Sequence, residues 1–404
     1  MDEDSGALFG FTITGGNANG TAPHDKGGGL YASNGGISMG SVLFENNYAE
    51  TAGGGAYVVE TVERIGAQHP AFVRSTFRNN ESGEDGGGLA LEDAESRITS
   101  VMFENNDAGR YGGGLFNDGA DPVLKNVIFK ENSSDLEGGG ILNNLSSPEL
   151  FNVLITDNDA FVNGGGIVNG TNSSPVLTNV TISGNDAENG NGGGMYNRNG
   201  AMPLLLNTIV WGNTASSTGD EIWNSSNSSI EIDYSLYGNS DDDIVEGDGF
   251  TATNSLTSDP VFTDSGNDDF TIQSTSPAIN TGDPGTDMSD FNILAGYDEI
   301  DLAKNPRVYD GDVDIIDMGA YEFQGEPTDG TEFAPFITTW DVEAGDLQIT
   351  IPTAAAATYN YDVDWGDGES DTGQTGDASH TYDSEGTYTA VSYTHLTLPT
   401  IYSV

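Results

Sequence analysis

Asp310, Asp312 and Asp314, in the stretch DGDVDIID, have the 1, 3, 5 spacing with which oxygen-rich loops hold calcium. The glycine and bidentate glutamate that complete such a loop do not follow, so a plain strand is the competing reading. These three are the candidate metal ligands, and calcium is the only cofactor the sequence suggests; none is required. The other chemistry-bearing side chains are scattered. His24, His69, His380 and His395 have no Ser or Cys partner at a spacing that would build a nucleophile–base pair. Acids are so numerous that two carboxylates at glycosidase separation, about 5 to 9.5 Å, would carry no information. Glu104, Lys130 and Asp157 could share one column, and the acidic run 241–243 reads as a solvated turn. A polyuronate lyase needs clustered bases. Here Lys26, Arg64, Arg74, Arg78, Arg97, Arg110, Lys125, Lys130, Arg198, Lys304 and Arg307 share no coil position, apart from Arg78 and Lys130, and read as solvated surface residues. No catalytic residue is assigned.

The elements that must position these residues are announced by repetition. Glycine triplets open at Gly27, Gly53, Gly86, Gly112, Gly138, Gly164 and Gly192, at intervals of 26, 33, 26, 26, 26 and 28. A second marker keeps the same period: FENN ending at Asn47, FRNN at Asn80, FENN at Asn106, FKEN at Asn132, then turns ending at Asn158, Asn185 and Asn213. Self-similarity at this length means stacked units, each burying its apolar face only against its neighbours. Gly, Asn, Asp and Ser interrupt every window that a helix would need, so the unit is β. In PVLTNVTI, Val176, Thr178, Val180 and Ile182 alternate with Leu177, Asn179 and Thr181, so one row can face inward.

A coil that returns to the same angular position and pairs in parallel with the next rises about 4.8 Å per turn. The aliphatic residue after each triplet (Leu30, Ala56, Leu89, Leu115, Ile141, Ile167, Met195) then stacks inside. Two positions on, Asn117, Asn143, Asn169 and Asn197 share its parity and form a buried amide column, tolerable only if hydrogen-bonded along its length. The triplets read as corners needing positive φ and close backbone approach. A phosphate-cradling loop would need a following helix, and none is indicated. The fold expected is all-β: at least seven coils between Gly27 and Asn213, with the 33-residue interval absorbed by an outward loop near Glu60 to Pro70.

The GGG-aliphatic and FxxN pair resembles the repeats of chlamydial polymorphic outer membrane proteins and of other bacterial surface proteins built as right-handed parallel β-helices. The later segments NTIVWGN, SIEIDYSLYGN, DDFTIQSTSPAINTGD and NPRVYDGDVDIIDMGAYEFQ resemble the terminal coils and cap of bacterial β-helices that carry a choice-of-anchor domain. In that family the stretch holding Asp310 to Asp314 is the cap strand. From Gly325 the composition changes to a polar linker. Trp365 to Gly368 (WGDG, with Asp-Gly at a hairpin turn), His380 to Tyr382 and Gly386 to Thr389 then resemble a PKD-type Ig-like β-sandwich. The division expected is a β-helix with cap over 1–323, a linker over 324–333, a truncated small C-terminal β-sandwich over 334–391, and a tail over 392–404 that leaves the pattern and resembles foreign sequence. The chain opens inside what reads as a coil without a basic n-region, so upstream continuation is expected. The resemblance implies a secreted or cell-surface protein, structural or adhesive, whose partners are glycans or molecules of a host or neighbouring cell. A carbohydrate-active β-helix enzyme, either polysaccharide lyase or glycoside hydrolase, is the alternative. An enzyme should carry a groove with acids and aromatics on one sheet, and a stalk should be uniformly polar.

With 64 acidic and 11 basic residues the net charge is -53, which excludes nucleic-acid binding. All 11 bases precede Gln324. There is no cysteine, hence no disulfide, and no run of 18 apolar residues long enough to span a membrane. Such acidity fits a saline or calcium-rich exterior, because screening relieves the repulsion. Added NaCl should therefore raise the melting temperature. If Asp310, Asp312 and Asp314 bind calcium, that ion should exceed magnesium at equal ionic strength, and the excess should vanish in Asp312→Asn; equal responses would leave only screening.

Overall fold

The computed structural model describes residues 6–34, 36–60, 69–238, 244–245, 249–286, 300–307, 315–325, 336–342, 347–351 and 361–394. Among them the only helix is one 3-10 turn, Ser265–Asn267. The chain divides into two units, Met1–Gly325 and Glu326–Val404.

The first unit is a parallel β-solenoid in which each repeat adds one rung to each of three sheets. Sheet A has nine strands in order from Leu30–Ser33 to Ile244–Val245, the first seven of which follow the glycine triplets. Sheet B, with sixteen strands, collects the segment before the Asn marker, including Val123–Lys130, Glu149–Thr156 and Val176–Ser183. Sheet C collects eight two-residue strands just after that marker, from Asn17–Ala18 to Thr214–Ala215. Register reproduces the repeat: Leu115 pairs with Ile141, 26 residues on, and Phe44 with Phe77, 33 on. The seven extra residues, 33 minus 26, fall between Glu60 and Pro70, because Val59 pairs with Glu92 while Ala71 already pairs with Arg97. The loop itself, residues 61–68, lies outside the described residues.

The triplets have the predicted job. Gly112 sits at φ +66°, a Cβ on Gly113 would stand 2.2 Å from the Ser133 carbonyl oxygen, and one on Gly114 would stand 2.8 Å from that of Gly140. Any side chain there would force the rungs apart. Inside, one continuous apolar cluster runs from Ala32 to Ile232. Phe44, Phe77, Phe103 and Phe129 stack in it at centroid separations of 4.5, 4.9 and 4.6 Å. Burial of each such ring contributes roughly 1.5–3 kcal/mol relative to exposure.

One expectation fails in half of its strand. Val180 and Ile182 face the core, but Leu177 does so in place of Val176 and Thr178. Asn179 lies between them with φ +53°, and this left-handed residue resets the alternation. The same bend recurs at Ser100, Asn126, Asn152 and Asn207, with φ between 49 and 54°.

Two buried amide columns tie the rungs together. In the predicted one, Asn117 donates to Asn143 (2.8 Å), Asn143 to Asn169 (2.9 Å), Asn169 to Asn197 (2.8 Å) and Asn197 to Asn224 (2.7 Å). It begins where Leu91 gives way to Asn117, whose Oδ1 is buried without a partner. The second column is built from the Asn markers, which the repeat pattern presents only as turns. Asn106 Nδ2 donates to Asn132 Oδ1 (2.9 Å) and to the Phe77 carbonyl (2.9 Å), and the Asn106 backbone N–H also reaches Asn132 Oδ1 (3.1 Å). This pattern runs from Asn47 to Asn213, where Glu221 accepts from Asn213 Nδ2 at 2.5 Å.

After the last coil the chain returns along the outer face of sheet B. Arg307, fully buried, donates to Asn152 Oδ1 through Nε (3.1 Å) and Nη2 (2.5 Å). Asn179 Nδ2 donates to the Asp317 and Gly319 carbonyls (2.9 and 3.2 Å), and the Ala320 N–H donates to Thr181 Oγ1 (2.9 Å). The left-handed asparagines thus double as docking groups, and the strands Glu149–Thr156 and Val176–Ser183 are buried on both faces.

The second unit is antiparallel. Phe336–Val342 and Tyr361–Asp364 flank Gly386–Thr394, Ser370–Gln374 lies beyond, and Gln348–Ile351 pairs with Ala378–Thr381. The last strand runs to Thr394, past the boundary expected at residue 391.

Asn143→Leu should lower the stability of the solenoid by about 1–3 kcal/mol, because it leaves Asn117 and Asn169 desolvated without their partner. An unchanged thermal melt would show that the column is not under load.

Candidate functional site

The inward-outward alternation that buries Leu115 and Asn117 turns Phe116 outward, and parallel register aligns its equivalents down the outside of sheet A. That column reads Tyr31, Tyr57, Ala90, Phe116, Leu142, Val168, Tyr196 and Trp223. Tyr31 and Tyr57 stack at 5.5 Å, and Tyr196 and Trp223 at 4.5 Å. One wall is the residue preceding each triplet: Lys26, Ala52, Asp85, Tyr111, Glu137 and Asn163, bridged rung to rung. The other wall is Ser33, Val59, Glu92, Asp118 and Asn144. Between them, over Tyr57, Ala90 and Phe116, lies a pocket of about 400 Å³ that Arg110 and Arg198 also line.

Its charged groups are engaged with one another. Lys26 Nζ lies 2.8 Å from the Tyr57 hydroxyl, 3.2 Å from Glu92 Oε2 and 4.4 Å from the centre of the Tyr57 ring. The Tyr57 hydroxyl itself donates to Glu92 Oε2. Arg110 makes a two-pronged bond to Asp85 (2.9 and 2.6 Å), reaches Glu84 (3.2 Å) and lies over the Tyr111 ring. Asn144 donates to Asp118 (2.8 Å), and Arg198 pairs with Glu137 (2.8 Å). Every acid lining the pocket therefore has a partner. Burial pushes the Asp85 carboxyl up, against the pull of Arg110. Burial also acts upward on Glu92, but the bonds from Tyr57 and Lys26 outweigh it and hold Glu92 below its ordinary range. Burial and then the bond to Glu92 raise the Tyr57 phenol, so it stays protonated as a donor.

The candidate metal ligands Asp310, Asp312 and Asp314, the acidic run 241–243 and His395 lie outside the described residues. Among the described residues, no group of three or more His, Asp or Glu side chains is placed to hold a metal ion. Glu104 and Lys130 do share a column, with Glu45 and Arg78, and pair across strands; Asp157 sits one residue past that column. Arg78 bonds Glu45, and Lys130 bonds Asp268 (2.7 Å) and Glu131 (3.2 Å). His69 faces Glu95 (3.4 Å), and His380 faces Asp367 (2.8 Å). The bases are not all solvated surface residues. Lys26, Arg110 and Arg198, 172 residues apart at the extremes, converge on one pocket, and Arg307 is fully buried. No sequence spacing marks these, because they come from different positions in their coils.

Behind sheet B, Asp301, Arg307, Asp317 and Glu322 form a buried charged cluster. Asp317 accepts from the N–H groups of Asn280 (2.7 Å) and Phe323 (2.6 Å), and Arg307 lies 3.5 Å from Glu322. It anchors the returning segment.

No family model matches the chain, and no curated protein or solved structure matches it. Fold and site together define its first unit as a parallel β-solenoid with an aromatic-lined pocket on sheet A.

Burial pushes Asp317 up to about 6. A carboxyl whose folded value is raised contributes stability at low pH, and that contribution is lost as pH rises from the unfolded value near 4 through about 6. The melting temperature of the solenoid should fall over that window, and the fall should shrink in Asp317→Asn; an identical profile in the variant would show that Asp317 does not contribute to it.

Proposed function

We propose that the chain is a secreted or cell-surface module, structural and adhesive, that holds a partner against sheet A without turning it over. The observation that carries this reading is the state of the pocket's acids: Glu84, Asp85, Glu92 and Asp118 are each engaged by a cation, a phenol or an amide. A general acid or base must exchange its proton with substrate, whereas paired side chains offer fixed donors and acceptors. The regular solenoid suits a rigid stalk, since neighbouring rungs support one another along its whole length.

The repeats support the likeness to right-handed β-helix surface proteins of the polymorphic outer membrane type. In the second unit, buried Trp365 accepts through its carbonyl a bond from Tyr382 Oη (2.9 Å) and stacks on His380 at 5.0 Å. The WGDG and HTY motifs thereby meet, which supports a PKD-like sandwich acting as a spacer. One observation favours a carbohydrate-active enzyme as the second reading: acids and aromatics share one groove.

Surfaces coated with the chain should retain cells or polysaccharide, and no new reducing or unsaturated sugar ends should appear in the supernatant, with or without calcium. Release of such ends would replace the adhesive reading with the enzymatic one.

A further inference from the structure

From the chemistry of the sheet A groove we infer that the partner held there is a neutral glycan, gripped over Tyr57 and Phe116 by the Lys26–Glu92 and Arg110–Asp85 pairs. The inference rests on the adhesive reading and narrows it to one site and one ligand class.

Charge is the first argument. The solenoid carries 50 acids and 11 bases up to Phe323, yet three of those bases line this pocket, and each is matched by a carboxylate within 3.2 Å. A polyanion such as a polyuronate would approach through a strongly negative field and find no unmatched cation at the end of it. A polycation would be drawn to the acidic surface in general, but least to the place where Lys26, Arg110 and Arg198 face inward. The pocket is therefore selective for a ligand without net charge.

The second argument is the kind of polar group on offer. Lys26 Nζ, Tyr57 Oη and Glu92 Oε2 form one connected set, and the Arg110 fork with both Asp85 oxygens forms another. Each set places donors beside acceptors, the arrangement that meets adjacent hydroxyl groups, since a hydroxyl both donates and accepts. The pairing also fixes these long side chains before the ligand arrives, which lowers the ordering cost of binding.

The third argument is the floor. Phe116 is half-buried and Tyr111 lies under the Arg110 guanidinium, so ring surface borders both polar sets. A sugar ring presents hydroxyls at its edge and C–H groups on its face, and it matches a site with polar walls and an aromatic base. The volume of about 400 Å³ falls in the range of small-ligand sites. Beyond the buried Leu142 and Val168, ring surface recurs in the same column at Tyr196 and Trp223.

The test is calorimetric titration of the full chain with cellohexaose, mannohexaose and maltohexaose, with oligogalacturonate as the anionic contrast, alongside attachment of the coated chain to cells. At least one neutral oligosaccharide should bind. Phe116→Ala and Arg110→Gln should each weaken it about tenfold, equivalent to ~1.4 kcal/mol, while Arg78→Gln on sheet B leaves it unchanged. Tyr57→Phe, which keeps the ring and removes the hydroxyl, supplies a variant that folds if Arg110→Gln does not, and it should also weaken binding. Preference for oligogalacturonate, or neutral binding indifferent to the sheet A variants, overturns the inference. Cell attachment without binding of any neutral oligosaccharide overturns it too but leaves the adhesive reading standing; absence of attachment and of binding removes both.

Discussion

The constraint on which the rest of this structure depends is that successive rungs pair in parallel, in register, about 4.8 Å apart. At that spacing any residue type that recurs once per coil meets its own copy. A recurring residue must therefore tolerate itself as a neighbour. Phenylalanine does so by stacking, and asparagine does so because an amide is both donor and acceptor. The marker column from Asn47 to Asn213 is the stronger case: each interior side chain serves the next amide and a carbonyl of the preceding coil, and accepts a backbone N–H as well. A column of buried carboxylates could not do this. It is consistent that Glu221 enters at the end of the ladder, as an acceptor only.

The outward columns obey the same rule with charges. On sheet B, Glu45, Arg78, Glu104 and Lys130 alternate in sign. On sheet C, Ser133 stands between Asp107 and Asp159 and donates to Asp107 (2.6 Å), and Thr214 donates to Asp186 (2.6 Å). Acids stack directly at Glu81 and Asp107 and at Asp159 and Asp186; in the second pair burial and the neighbouring Glu188 and Asp186 push Asp159 up to about 6. In a chain of net charge -53, pairing of this kind offsets part of the repulsion between its acids.

The three faces of the solenoid consequently have different uses. Part of the outer face of sheet B is occupied by the returning segment, whose buried arginine and backbone carbonyls are met by asparagines already bent for backbone reasons, while its carboxylates accept from its own backbone N–H groups. Sheet C is narrow, two residues per rung, and acidic. Sheet A carries the pocket on its outer face. Its floor changes from aromatic to aliphatic and back along the axis, and its walls bring together cations from distant coils.

Much of this was legible in the amino-acid sequence. Glycine triplets and the Asn marker repeat locally, and a local period dictates strand type, rung number, the buried column at Asn117, Asn143, Asn169 and Asn197, and the place of the seven-residue excess. What the sequence could not reveal depends on angular phase. A single left-handed residue at Asn179 switches which side of the strand faces inward, and no alternation pattern encodes that switch. The burial of Arg307 against Asn152 joins positions 155 residues apart, and the meeting of Lys26, Arg110 and Arg198 requires three coils to present different points of their circumference to one groove. Repetition along the chain determined the solenoid; which side chains share a face was decided only by closing each coil and stacking it in register on the next.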